Sequence, residues 1–339
     1  MKEGEPKFKE QEESQEKPQP SEEPERTQGL IRVVGLSPEK QQEILAEKKK
    51  LFDSAIPLES ALPAESNVKE LEITPDKQEI INTTLLKMPG FVEKYGGKMP
   101  PIMRDHIFII DYNSLTEKEK NQMKKNNTRS AYSSVAQRIA LFFDSENQDN
   151  EDFGVMLAHE ILHFSSFQSV NAKEVQDKPK FFGLFGGKPG ETRLEVTPRT
   201  TGLSLVRKKG KKYELYFGES DEAITAVLTN KFYDENLYRL PAMQQDTKRI
   251  KTSIGEWNSK WHPRGTYHEQ ETDLWRTISD IQQKNIEKFK TKEDVFKLFA
   301  EAYFTGHKLK LARAVEKTYG KGSFKELGKD KKNRRLKIK

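Results

Sequence analysis

The chain has 339 residues, 34% of them hydrophobic and 33% charged, with a formal net charge of +6. That length allows one large domain or two of ordinary size, and the polar average implies unstructured ends around an ordinary core. Cysteine is absent, which excludes disulfides, zinc–thiolate sites and thiol nucleophiles and restricts any metal to His, Glu and Asp.

The N-terminus shows no apolar stretch followed by a cleavage site, and no run reaches the roughly 18 apolar residues of a membrane helix. A soluble cytoplasmic protein without a membrane span is therefore expected. Residues 1–29 are Glu, Lys, Gln, Pro and Ser with little to bury, and are expected to be disordered. The stretch Leu30 to Leu36 can form an edge strand. Ser37 and Pro38 then open a helix to about Phe52, and Thr74, Pro75 and Asp76 open another. Ile80, Ile81, Leu85 and Leu86 mark the apolar face of the second, which is expected to end at Pro89 and Gly90. Residues 30–99 thus read as a helical N-terminal region, followed by a domain over 100–325 and a basic tail over 326–339.

Within that domain, His106 to Tyr112 and Gln137 to Phe143 read as strands, with an exposed charged helix from Ser114 to about Lys125 between them. An acidic loop, Asp144 to Asp152, leads into the next helix. Asp149 or Asn150 can cap it, with Glu151 and Asp152 in its first turn. This helix contains His159-Glu160-Ile161-Leu162-His163. On a helix the two imidazoles, four residues apart, share one face and can grip one metal ion while Glu160 reaches a water bound to it. Val155, Met156, Leu157, Ala158, Ile161, Leu162, Phe164 and Phe167 make the helix apolar nearly all round, the mark of a buried helix. Burying two imidazoles and a carboxylate costs several kcal/mol unless something satisfies them. A bound cation is the simplest explanation.

Residues 171–192 read as a long loop carrying Phe181, Phe182 and Phe185, either a mobile lid or a loop pinned to the core by its aromatics. A hairpin follows, Thr201 to Arg207 and Tyr213 to Phe217 about a Lys-rich turn with Gly210. The next helix has Ser220 as its expected N-cap and Ile224, Val227, Leu228 and Phe232 on its buried side, with Glu222, Thr225, Ala226 and Thr229 opposite. Helices are expected from Tyr267 to Lys288, from Lys292 to Phe304 and from Leu309 to Tyr319, before a basic end from Lys329 to Lys339. The fold class is α+β, a small sheet before the metal helix and a mainly helical remainder.

A zinc site needs a third protein ligand and leaves its fourth position to water. No third histidine closely follows His163, and the chain offers Glu222, at the start of the next strong helix. The alternative for Glu222 is a first-turn acid that stabilises its own helix dipole, a reading that Asp221 and Glu219 share. His159-Glu-x-x-His163 followed by Asp221-Glu222-Ala-Ile-Thr225 resembles the gluzincins, zinc peptidases whose third ligand is a glutamate on a second helix. Many of them have Asn where this chain has Asp221. The stretches Arg199 to Ser204 and Tyr267 to Glu271 resemble poorly characterised bacterial members. The resemblance spans roughly residues 100–325 and implies a zincin-like domain, with His159, His163 and Glu222 as Zn2+ ligands. It also implies Glu160 as general base and a peptide or protein as substrate. Tyr267 and His268 are the candidates for stabilising the oxyanion. His106, His262 and His307 show no partner pattern and read as structural or surface residues.

Two other functions compete. A catalytically silent zinc-binding interaction module would need the ligands but not Glu160. A nucleic-acid or anionic-surface binder would work through the basic tail and the Lys208 to Lys212 turn. Such runs are commonly solvated ends, and no aromatic reading surface accompanies them, so nucleic acid is not expected as the main partner.

Overall fold

The computed structural model describes residues 32–34, 36–43, 69–102, 104–126, 129–133, 138–143, 149–176, 192–209, 212–244 and 267–329. The N-terminal tail, the Phe-rich stretch, Gly210, His262 and the tail beyond Lys329 lie outside these residues, as does most of the helix that begins at Pro38. The fold is α+β. Among the described residues, no helix is long and apolar enough to cross a membrane.

After strand β1 (Arg32–Val34), helix α1 (Pro75–Lys94) starts as expected, with the Thr74 hydroxyl accepting from the Lys77 amide at 3.4 Å. It does not stop at Pro89 and Gly90 but continues to Lys94. Both residues lie on the exposed side, where an interior proline costs about 3 kcal/mol. Met88, Phe91 and Val92 are buried around them, and side chains of this size contribute about 1.5–3 kcal/mol each. Burial wins. Leu86, expected on the apolar face, is 75% exposed, because the buried stripe runs through Ile80, Ile81, Thr84 and Met88 instead.

Strand β2 (Ile107–Asp111) is shorter than expected, since 3-10 turns occupy Arg104–His106 and Tyr112–Ser114. Helix α2 (Glu117–Asn126) accordingly begins later than Ser114. Its start is a capping box: the Glu119 amide donates to Thr116 Oγ1 at 3.3 Å, and Glu119 Oε2 accepts from the Thr116 amide at 2.8 Å. Strand β3 (Ser130–Ser133), not foreseen, pairs antiparallel with β4 (Arg138–Phe143), which pairs parallel with β2. The sheet order is β2-β4-β3.

Helix α3 (Asn150–Ser165) carries the His-Glu-x-x-His sequence and has Asp149 as its N-cap, accepting from the Glu151 amide at 2.7 Å. Its flanks pack on α1, on the three-stranded sheet and on a π-helical turn at Tyr233–Leu237. A Cβ on Gly154 would lie 2.5 Å from Met243 Cε and 3.3 Å from Leu237 Cδ1. That glycine lets the helix lie close to the turn.

The expected long loop at 171–192 begins and ends in strand, at 171–176 and at Thr192, and residues 177–191 lie outside the described ones. β5 (Gln168–Gln176) and β6 (Thr192–Thr201) pair antiparallel along their length, leaving only 177–191 between them. Their polar residues, Pro198 and a register shift at Ser169/Val170 hide the alternation that marks a strand. β7 (Ser204–Lys209) and β8 (Lys212–Tyr216) form the expected hairpin, and β1 lies parallel to β5, giving the order β1-β5-β6-β7-β8.

Helix α4 (Gly218–Phe232) follows directly. Its N-cap is Phe217 at φ 61°, not Ser220, and no side chain caps it. Phe217 is held in this left-handed conformation from the far end of the chain: its amide donates to the Gly328 carbonyl at 2.7 Å and its ring packs on Phe324. The side of α4 expected to be polar is largely buried, with Thr225, Ala226 and Thr229 at 5% exposure or less. The two threonines satisfy their hydroxyls on carbonyls one turn back.

Helix α5 (His268–Lys284) ends before Lys288, because buried Asn285 turns back to the Ile281 carbonyl. Helix α6 (Lys292–Thr305) has a Thr291/Asp294 capping box and stops at left-handed Gly306. α7 (Leu309–Tyr319) and the unforeseen short α8 (Ser323–Leu327) are the final helices among the described residues. One apolar cluster joins α1, α3, α4 and the C-terminal helices. Gly154→Val is expected to overpack the contact of α3 with Met243 and Leu237 and to cost about 1–3 kcal/mol, read as a lower urea midpoint at unchanged slope.

Candidate metal centre

Helical spacing in α3 brings His159 Nε2 and His163 Nε2 within 3.1 Å of each other. α4 packs across α3 and carries Glu222 to the same point. Its Oε2 lies 3.4 Å from His159 Nε2 and 3.5 Å from His163 Nε2. Ligand atoms 2.0–2.2 Å from one tetrahedral ion are about 3.3–3.5 Å apart. Two edges of this triangle match that spacing and the third, 3.1 Å between the imidazole nitrogens, is slightly shorter, so the group could hold a metal ion. The His159 and His163 side chains are 12% and 11% exposed and Glu222 38%. The centre is closed on the imidazole side and open beside the carboxylate.

The electrostatics are complementary. Burial drives His163 down, but Glu222, Glu160 and Asp221 together lift it to about 9. Burial pushes Glu222 up, and the two imidazoles hold it well below the usual carboxylate range. Positive and negative partners thus converge on one point, where a dication would replace the proton on His163.

Glu160 is buried beside the triangle, and Ser130 Oγ donates to its Oε1 at 2.6 Å. Ser130 belongs to β3, the strand the sequence did not announce. Tyr267 precedes α5 and lies flat on the His159 ring, centroids 5.4 Å apart and planes 3° from parallel. Burial, and then the Glu222 and Glu160 carboxylates, raise its phenol well above the ordinary value, so it keeps its proton and can donate it in a hydrogen bond. His268, the next residue, is exposed in the first turn of α5 and makes no hydrogen bond or ion pair with the cluster. The structure thus brings together five of the six candidate residues and leaves His268 outside. His106 is buried against Phe164 and His307 is exposed, as structural and surface residues should be.

Behind the triangle lies a polar layer of which the sequence reading had only the face shared by Glu222, Thr225 and Thr229, not the place of Asp221 or Tyr303. Buried Asp221 accepts the Leu203 amide at 2.6 Å and the Ser204 amide at 3.3 Å through Oδ1, while its Oδ2 stands 3.8 Å from His163 Nδ1. Burial pushes this carboxyl up to about 7 against the pull of His163. Tyr303 Oη is 3.5 Å from the same Nδ1 and 3.0 Å from Thr225 Oγ1, and Thr229 Oγ1 is 3.5 Å from His159 Nδ1. Thr225 and Thr229 follow Glu222 by three and seven residues, a helical signal for one shared face. Nothing in the sequence pattern pointed to Tyr303.

Zinc in hundredfold excess over Kd is expected to stabilise the metal-stripped protein by about 2.7 kcal/mol, measured by thermal and denaturant melts. Glu222→Ala should fold and lose most of that gain. Comparison of the chain with protein-family models, with curated proteins and with solved structures finds no match.

Proposed function

We propose that the protein is a zinc-dependent peptidase with a zincin-like catalytic domain. The observation that carries this reading is the triangle of His159 Nε2, His163 Nε2 and Glu222 Oε2, with edges of 3.1–3.5 Å, next to a buried carboxylate that such a triangle does not need for structure alone. Zinc is the ion that this nitrogen-rich, thiol-free set of three suits best, and when bound it supplies an acidified water and polarises the scissile carbonyl.

The chain's own groups divide the remaining work. Glu160 is fixed through Oε1 by Ser130, which leaves Oε2 to take the proton of the attacking water and pass it to the leaving amine. Tyr267, protonated and stacked on His159, donates to the oxyanion as charge develops on the carbonyl oxygen. Substrate would enter beside Glu222, whose side chain is the most exposed of the three.

The test uses zinc-loaded protein and a diverse peptide library read by mass spectrometry. Wild type is expected to cut. Glu160→Gln should retain about one zinc per chain and lose about 10²–10⁴ in rate. Tyr267→Phe should lose about 10²–10³ with zinc retained. Cleavage unaffected by Glu160→Gln would overturn the assignment of the base. Zinc-loaded wild type that cuts nothing in the library would favour the silent zinc-binding module instead.

A further inference from the structure

A neutral imidazole that gives Nε2 to a metal must carry its proton on Nδ1, and a buried N–H needs an acceptor. Two oxygens stand near Nδ1 of His163: Tyr303 Oη at 3.5 Å and Asp221 Oδ2 at 3.8 Å. The first is at the outer limit of a hydrogen bond and the second just beyond it, as contacts around a reactive centre commonly are before its ligand tightens them. The two are held differently by their surroundings. Asp221 Oδ1 is already taken by the amides of Leu203 and Ser204 in the turn between β6 and β7. Gly202 in that turn has φ 56°, and a Cβ there would sit 2.3 Å from Oδ1. The carboxylate is thus clamped by one oxygen, with the other facing the imidazole. Tyr303 Oη, by contrast, already accepts from the Thr225 hydroxyl at 3.0 Å and carries a proton of its own.

We infer that Asp221 is a positioning residue for the metal centre: Oδ1 ties it to the β6–β7 turn, and Oδ2 accepts the Nδ1 proton of His163, fixing the tautomer whose Nε2 lone pair faces the metal. This rests on the metal site proposed above. An asparagine at 221 in this structure could not do both tasks. With its carbonyl oxygen on the turn amides, its NH2 would face Nδ1, oblige that nitrogen to accept, and move the imidazole proton to Nε2. With the amide reversed, NH2 would confront the Leu203 and Ser204 N–H groups.

The experiment is zinc affinity by competition with a chromophoric chelator, on wild type, Asp221→Asn and Tyr303→Phe, each checked for folding by circular dichroism. Asp221→Asn is expected to weaken zinc by about 10–100-fold. Nitrogen-15 spectra of the histidine rings supply the second measurement and need only the wild type: zinc-loaded protein should show His163 protonated on Nδ1. Equal affinity in folded Asp221→Asn, loss confined to Tyr303→Phe, or an unprotonated Nδ1 would each overturn the role of Asp221 while leaving the metal site standing. Wild type that binds no zinc would overturn the site and this inference together.

Discussion

Two imidazoles and a carboxylate meet in the contact between α3 and α4, and the surrounding structure is arranged to make that meeting tolerable. Polar groups removed from water must find partners or lower their charge. Here His163 gains proton affinity from three carboxylates while Glu222 loses it to two imidazoles. Threonine hydroxyls and one tyrosine fill the remaining polar positions behind them. Beyond that layer the packing is apolar, with Phe164, Ile161, Ile224 and Leu228 in a continuous core. Moving either helix by one residue of register would bury these groups without each other.

The parts of the site differ in how they are held. The histidine pair needs only a helix, since spacing of four suffices to align it. Glu222 needs α4 to cross α3 at the right height, and Glu160 needs β3 alongside to bring Ser130. Tyr267 is set by the start of α5, where its ring lies on His159. One element therefore supplies three groups, His159, Glu160 and His163, and three others supply one each, Glu222, Ser130 and Tyr267.

The same division explains what the sequence disclosed. The apolar surroundings of His159 and His163 and the Asp149 cap are local patterns, legible from residues a few positions apart. So was the buried side of α4. Asp221 was read as an acid of the helix start, because its true partners, Leu203, Ser204 and His163, come from other elements. Strands β3, β5 and β6 escaped because their residues are polar and their pairing is not written in any one strand. The continuation of α1 past Pro89 was likewise decided by Phe232 and Phe296, which receive Phe91 and Tyr95 from far along the chain.

Phe217 bears on the order in which the molecule can be assembled. Its left-handed backbone starts α4, and the bond that steadies it comes from Gly328, with Phe324 against its ring. Synthesis proceeds from the N-terminus, and elements can form as they emerge. A growing chain therefore exposes His159, Glu160, His163 and Glu222 well before it has made the residues that seat the first turn of α4. The start of α4 is thus tied to the α8 segment, so a chain not yet extended to Gly328 holds His159, His163 and Glu222 but lacks the clamp on the helix that presents Glu222.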